Sequence, residues 1–319
     1  MIAFGPVPSR RLGQSLGVNN IPPKSCLYSC VYCQLGRATR MPADREAYYA
    51  PEDILREVEA SVAGARASGE PIDYLTFVAD GEPTLDIHLG REIAMLKGLG
   101  LPVAVISNAS MIWRDDVREE LMQADWVSLK MDAMDEETWG RINRPRRNLS
   151  LAPILEGALA FARGFPGTLA TETMLVAGLN DGEHHLELVA RFLAELSPET
   201  AYLAIPTRPP AEDWVHPPDE ATLVRAYGIL SGRVPQVEYL IGYEGDAFAA
   251  SGDIEQDLLS ITAVHPMRSD AVETLLARTG ASWAGVERMV AAGQLLRLSY
   301  GGHTFYARNL GRYGRGQEH

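Results

Sequence analysis

The sequence predicts an α/β protein: a partial (β/α)6, TIM-like barrel followed by a small C-terminal domain. Three observations carry this. Short apolar runs alternate with longer segments of helical period between residues 15 and 231. The alternation repeats about six times, short of the eight of a closed barrel. After residue 252 it gives way to three helical patterns and a hairpin signal. A chain of 319 residues has room for one large domain and one smaller one.

The first strand is SLGVNNI (15–21), which leads directly into a cysteine-bearing loop. A helix over 51–68 places Ile54, Leu55, Val58 and Val62 on one face. Strand two is DYLTFVA (73–79), followed by a helix near 87–99. Strand three is PVAVIS (102–107), with a helix at 114–123. Strand four is WVSLKM (126–131), with a helix near 150–163. Strand five is TLATETMLV (168–176). The next helix covers 182–196, with Asn180 or Asp181 as its N-cap. Strand six is AYLAIP (201–206), with a helix at 219–231. The expected division is a barrel domain 1–245, a linker 246–252 rich in small and polar residues, a small domain 253–310 and a disordered tail 311–319.

Composition narrows the function classes. The chain is 46% hydrophobic and 22% charged, with a net charge of −13. That acidity argues against broad electrostatic binding to nucleic acid, though it leaves room for a local basic patch. No apolar run approaches the ~18 residues of a membrane span. The opening MIAFGPVPSRRLG has no apolar core of signal-peptide length. A cytoplasmic protein is the expectation.

All three cysteines, Cys26, Cys30 and Cys33, fall within CLYSCVYC (26–33). An odd, tightly clustered set does not suit a secreted disulfide framework. It suits a metal site, since thiolates are soft ligands for zinc, copper(I) and iron–sulfur clusters. Structural zinc wants four ligands, and the chain has no fourth cysteine; the next histidine is His88. A carboxylate or distant histidine as fourth zinc ligand is the alternative. Three thiolates on a [4Fe–4S] cluster leave one iron open to a ligand carrying an amine and a carboxylate.

The spacing C-x3-C-x-aromatic-C, with Tyr32 as the aromatic, resembles the radical S-adenosylmethionine superfamily. The resemblance implies a [4Fe–4S] cluster on Cys26, Cys30 and Cys33, and S-adenosylmethionine as second cofactor. It implies reductive cleavage of the sulfonium to a 5′-deoxyadenosyl radical, which abstracts hydrogen from a substrate. It also implies a partial barrel, an electron donor such as flavodoxin or ferredoxin, and Tyr32 near the adenine. In such barrels the active residues sit at C-terminal strand ends. Strand two ends in ADGEPTL, where the family has a Gly-Gly-Glu-like motif touching the cofactor amino group. The chain keeps Gly81 and Glu82 but has Asp80 for the first glycine; an ordinary turn is the alternative. Ser107 and Asn108 end strand three, where the family often contacts the ribose or carboxylate. Lys130 and Asp132 end strand four, as cofactor contacts or as a rim ion pair. Glu172 or Thr173 must face the interior, because side chains alternate. Arg208 in PTRPP suits a clamp on an anionic group of cofactor or substrate, or a structural contact.

Arg10 and Arg11 read as surface charge, and Arg144, Arg146 and Arg147 either as surface charge or as steering an anionic substrate. The stretches FGPVPSRRLGQSLGVN, CLYSCVYCQLGR, DGEPTL and SLKMDA…INRP together resemble the wybutosine-synthesis-like iron–sulfur oxidoreductase branch over roughly residues 3–245. The tRNA-modifying member carries a second cluster, for which this chain has no cysteines. The C-terminal patterns 253–263, 269–279 (Ser269 as N-cap) and 282–292, with a hairpin about Gly301-Gly302, resemble a winged helix. That domain holds seven arginines, no lysine and six acids over 253–315, sparse for reading DNA. Docking of a protein or peptide, or simple packing, fits better; Arg297, His303 and Tyr306 are its candidate contacts. The substrate stays unidentified. The alternatives are a glycyl-radical activator, a peptide- or tRNA-modifying enzyme docking its substrate through the winged helix, or a redox-sensing regulator.

Overall fold

The structure, a computed structural model, describes residues 2–78, 80–241, 253–264 and 266–309. The expected linker 246–252 and tail 311–319 lie outside the described residues.

An eight-stranded sheet runs in sequence order from β1 to β8. It starts with an antiparallel hairpin, β1 (Ala3–Ser9) and β2 (Gly13–Val18). Six strands then add one after another, each parallel to its predecessor: β3 (Tyr74–Phe77), β4 (Val103–Ser107), β5 (Trp126–Lys130), β6 (Thr168–Met174), β7 (Thr200–Ala204) and β8 (Val237–Leu240). The crossovers carry α1 (Pro51–Ser68), α2 (Leu89–Lys97), α3 (Asp115–Leu121), α4 (Glu136–Ile142), α5 (Leu151–Gly164), α6 (Glu183–Leu196) and α7 (Glu220–Ser231). Helical crossovers are what parallel strands require.

Register assigns the two faces of the sheet. Leu75, Val103, Val127, Leu169 and Leu203 point toward the helices and join Ile54, Val58, Ile93, Phe161 and Leu193 in the main core. Ala104, Trp126, Ala170, Tyr202, Ala204 and Leu240 point the other way, into the barrel, and close around Leu12 of the β1–β2 turn. Burial of that leucine is worth about 2 kcal/mol, so the hairpin turn plugs the barrel floor. Arg10 Nη1 donates to Leu240 O at 2.5 Å, which ties the hairpin turn to the far edge strand.

After β8 come α8 (Ile254–Val264), β9 (Met267–Arg268), α9 (Ser269–Thr279), α10 (Trp283–Ala291), β10 (Leu295–Tyr300) and β11 (His303–Arg308). The last hairpin and β9 form a three-stranded antiparallel sheet. This region has its own apolar cluster, which includes Leu258, Met267, Leu275, Val286 and Tyr306 and also takes in Phe4 and Val7 of β1. Tyr300 Oη donates to Pro206 O at 3.1 Å, touching the loop after β7.

Several expectations need correction. The first strand is two: β1 precedes the expected run, and β2 stops at Val18. With two prolines and a glycine, β1 reads poorly as a strand, yet an edge position tolerates them. A seventh parallel strand, β8, and the short α4 were not expected: β8 buries only its end residues Val237 and Leu240, and α4 buries only Trp139 and Ile142 in a polar stretch. The N-cap of α6 is Gly182, not Asn180 or Asp181. Asn180 is buried, bridging Val176 N, Met174 O and Asp132 O. The N-cap of α9 is Arg268, with Ser269 the first helical residue.

Candidate active site

The cysteine loop follows β2, at the end of the sheet where β3, β4 and β5 also terminate. Two neighbouring segments lace it down. From one side, Asp80 O accepts from Lys24 N at 2.5 Å, and Glu82 N donates to Ser25 O at 3.0 Å. Gly81 lies between them, and a Cβ there would stand 2.0 Å from Ser25 O. No side chain fits, which gives the glycine at this position a steric reason. From the other side, Ser29 N donates to Asn143 O at 2.9 Å, Val31 N to Ile142 O at 2.9 Å, and Arg146 N to Leu27 O at 2.9 Å.

The three cysteines are half-buried free thiols. Two of them receive an asparagine amide. Asn108 Nδ2 donates to Cys26 Sγ at 3.1 Å, and Asn143 Nδ2 to Cys30 Sγ at 3.4 Å. Burial, then the neighbouring Cys30 and Glu82, push the Cys26 thiol well above its ordinary range. Burial, then Asp132 and Cys33, push Cys30 up to about 12. Three thiolates here would repel one another in a low-dielectric setting, so the donor set calls for a strongly cationic guest. Among the described residues, no three His, Cys, Asp or Glu side chains converge for one shared metal ion. Cys26, Cys30 and Cys33 would hold an iron–sulfur cluster, whose ligands are cysteine thiolates, and the amides on Cys26 and Cys30 would hydrogen-bond two of the ligating sulfurs.

Behind each asparagine stands a buried carboxylate. Glu82 Oε1 accepts from Thr84 N (3.1 Å), Thr84 Oγ1 (2.6 Å) and Ser107 Oγ (2.8 Å), and Oε2 from Asn108 N (2.7 Å). Burial still raises its pKa above the ordinary value. Asp132 Oδ2 accepts from Tyr32 Oη in a short bond and from Asn143 Nδ2 at 2.8 Å, while Oδ1 accepts from Met174 N at 2.9 Å. Burial, then Asp132, hold the Tyr32 hydroxyl in its protonated, donating form by raising its pKa.

A second polar chain runs into the barrel. Lys130 Nζ lies 4.8 Å from the Tyr32 ring centroid and donates to Glu172 Oε1 at 2.6 Å. Glu172 Oε2 accepts from Arg11 Nη1 at 2.5 Å. Burial would raise the Glu172 pKa, but Lys130 and Arg11 outweigh it and bring the carboxyl down to about 2. Glu172 is therefore the inward-facing residue; Thr173 faces the other way and donates to Met131 O at 2.9 Å.

The structure thus brings all the expected residues to one rim. Tyr32, Asp132 and Lys130 form one group, Gly81, Glu82, Ser107 and Asn108 another, both against the cysteine loop. Arg208 Nη1 reaches the same loop by donating to Gln34 Oε1 at 2.9 Å. One reading changes. Arg11 is not surface charge: its side chain is 14% exposed. Arg144 and the far more exposed Arg37 share Glu212, in bonds of 2.5 and 2.8 Å. Asn143 escaped notice inside INRPRRN, where the arginines drew attention; one uncharged polar residue ahead of them was the available signal. Of the four non-glycine residues with positive φ among the described residues, three flank this site: Lys24 (63°), Ala109 (62°) and Arg144 (47°). Such conformations cost roughly 1 kcal/mol or more and concentrate at functional sites.

Residues 20–193, more than half of the chain, match the sequence profile of the radical SAM superfamily. The chain is 45% identical over 311 residues to the UPF0026 protein MJ1312 of Methanocaldococcus jannaschii, spanning 97% of this chain and 96% of that one. In fold it is similar to a radical SAM methyltransferase from Sphaerobacter thermophilus, with a TM-score of 0.56 at 16% identity over 71% of this chain and 66% of the other. It is also similar to TYW1 in a structure with a lysine-pyruvate adduct, with a TM-score of 0.53 at 17% identity over 69% and 74% of the two chains. Among the described residues, no helix is long and apolar enough to cross a membrane. The chain belongs to the radical SAM superfamily, whose enzymes work with a [4Fe–4S] cluster and S-adenosylmethionine.

Proposed function

We propose that this protein is a single-cluster radical enzyme acting by hydrogen abstraction, with Cys26, Cys30 and Cys33 as the cluster ligands. The observation that carries the reading is the paired arrangement around the loop: each of two sulfurs meets an asparagine amide that a buried carboxylate helps to place. When bound and reduced, the cluster would supply the single electron for reductive cleavage of S-adenosylmethionine. The chain's own residues hold and orient. Gly81 lets the strand-end loop lie against Ser25. Glu82 fixes the Asn108 backbone, and through it the amide on Cys26. Tyr32, backed by Asp132 and by Lys130 over its ring, offers a rigid aromatic wall suited to adenine. Ser107, Asn108, Lys130 and Glu172 offer hydrogen-bonding groups at strand ends for the cofactor's ribose and amino acid portion, and Arg208 stands by for a carboxylate.

The branch that includes wybutosine-synthesis-like oxidoreductases is the closer placement, supported by DGEPTL and INRP beside the cysteine loop. The reaction differs from that of the two-cluster tRNA enzyme, because no thiols remain for a second cluster. The three helices and small sheet after residue 252 are read as a winged-helix domain over 253–310. Its hairpin touches the loop after β7, which favours an accessory role at the barrel mouth, such as docking a protein or peptide. An electron donor, flavodoxin- or ferredoxin-like, would meet the cysteine-loop face, where Arg37 is 68% exposed.

The test is anaerobic reconstitution, then dithionite and S-adenosylmethionine, with chromatography for 5′-deoxyadenosine. Wild type should produce it, and Cys30→Ala should not. Product in Cys30→Ala, or zinc in place of iron, would remove the assignment.

A further inference from the structure

Inside the barrel, between the plugged floor and the rim, lies a cavity of about 60 Å³. Its apolar wall includes Val78 and Ile106, and its polar wall is Arg10, Arg11 and the hydroxyl residues Ser9, Ser15 and Thr76. No aspartate or glutamate lines it among the described residues. The groups facing a guest are therefore two guanidiniums and hydroxyls, which can all donate.

The arginines are held in place. Ser9 Oγ accepts from Arg11 N and Leu12 N, each at 3.3 Å, fixing the turn that carries them. Arg11 Nη1 is tethered to Glu172 and lies 3.4 Å from Ser128 Oγ, and its Cζ is 5.8 Å from the Trp126 ring centroid. Among the described residues, its Nε and Nη2 donate to nothing. Arg10 is anchored to Leu240 O. Ser15 Oγ and Thr76 Oγ1 share one hydrogen bond of 2.6 Å, which leaves one of the two hydroxyl protons for a guest.

Size selects the guest. On this measure a single water needs roughly 10–15 Å³, so the cavity holds a group of about four or five heavy atoms, the size of a carboxylate or phosphate group, not a whole metabolite. We propose that this cavity receives the anionic terminus, a carboxylate or phosphate group, of the enzyme's substrate, with Arg11 as the principal binding residue. Calling the guest a substrate rests on the radical-enzyme reading; the anion site does not. A planar guanidinium fork matches both oxyanions. The chain Arg11–Glu172–Lys130–Tyr32 connects the cavity to the rim, so a substrate anchored there by its charged end would point its other end toward the cysteine loop.

The experiment titrates full-length, cluster-loaded protein anaerobically, without S-adenosylmethionine, at constant ionic strength. Inorganic phosphate and acetate are the separate probes, followed by calorimetry. Saturable binding with a Kd of about a few millimolar is expected for a fragment this small. Arg11→Gln should weaken it at least tenfold and Arg11→Lys by less, while the surface control Lys97→Gln should bind as wild type does. Thermal unfolding checks that each variant is folded; if Arg11→Gln is not, Arg11→Lys against wild type decides. Binding of phosphate alone would mark a phosphoryl-terminated substrate, of acetate alone a carboxylate, and of both the shared chemistry. No saturable binding of either probe, or Arg11 variants equal to wild type, would overturn the proposal. Failure to make 5′-deoxyadenosine with anion binding intact would instead remove the radical reading and leave the site standing.

Discussion

The two flanks of the cysteine loop solve one problem in two ways. On the β3–β4 flank, Glu82 binds the backbone N–H of Asn108 and leaves its side-chain amide to Cys26. Asn108 Oδ1 is itself capped by Ser110 N at 2.8 Å. On the β5 flank, Asp132 binds the very amide of Asn143 that also faces Cys30, and it takes the Tyr32 hydroxyl as well. On the first flank the carboxylate and the sulfur use different groups of the asparagine, its backbone N–H and its side-chain amide. The second is a shared network, in which moving one partner moves the others. Shared buried networks stand or fall together, so the β5 flank should be the more sensitive.

The largest effect expected from that difference is at Asp132. Asp132→Ala strands the Tyr32 hydroxyl, the Asn143 amide and the Met174 N–H in a buried site. At about 1–3 kcal/mol for each unsatisfied group, the loss should reach several kcal/mol. Chemical denaturation measures it, and a loss below about 1 kcal/mol would show that water enters and satisfies these groups.

Next comes Glu82→Gln. The Ser107 and Thr84 hydroxyls can rotate to accept from the new amide, so only a backbone N–H loses its acceptor. The expected cost is about 1–2 kcal/mol, with iron content after reconstitution unchanged. A fall in iron content comparable to that of Cys30→Ala would mean that Glu82 holds the loop itself.

A subtler comparison uses the amides. Hydrogen bonds to cluster sulfurs help set the reduction potential, and each stabilises the more negative, reduced state. Asn108→Ala and Asn143→Ala should both shift the midpoint negative in anaerobic potentiometry. The Asn108 shift should be larger, because Asn143 divides its amide between sulfur and carboxylate. The reverse order would mean that in the loaded site Asn143 commits its amide to Cys30 rather than sharing it with Asp132.

How much of this could be read from residues alone follows the same physics. Strands β3 to β7 announce themselves because each is buried on both faces, which gives continuous apolar runs. The edges do not: β1 is broken by Gly5, Pro6 and Pro8, and β8 exposes Glu238 and Tyr239 between its buried ends. The rim residues were legible because charged groups at the ends of apolar strands need a reason. Asn143 was not, since an asparagine in a loop is ordinary until its neighbours are known. Arg11 misled for a related reason. A charged residue in a turn is usually solvated, and only the folding of that turn into the barrel, with Glu172 waiting, reverses the expectation.

The smallest predicted effects lie in the backbone. Each asparagine is followed by a residue in the left-handed region: Ala109 at φ 62° and Arg144 at φ 47°. An L-residue there costs roughly 1–2 kcal/mol, and glycine removes the penalty while adding freedom to the unfolded chain worth about 0.4–1 kcal/mol. Ala109→Gly should therefore be neutral or stabilise by up to about 1 kcal/mol. Arg144→Gly gains the same relief but gives up its bond to Glu212, a half-exposed pair worth about 0–1 kcal/mol. Paired thermal melts should place Ala109→Gly at or above wild type and Arg144→Gly below Ala109→Gly. If Arg144→Gly were the more stable of the two, the Glu212 pair would be contributing nothing, and the β5 flank would carry more backbone strain than its φ angle implies.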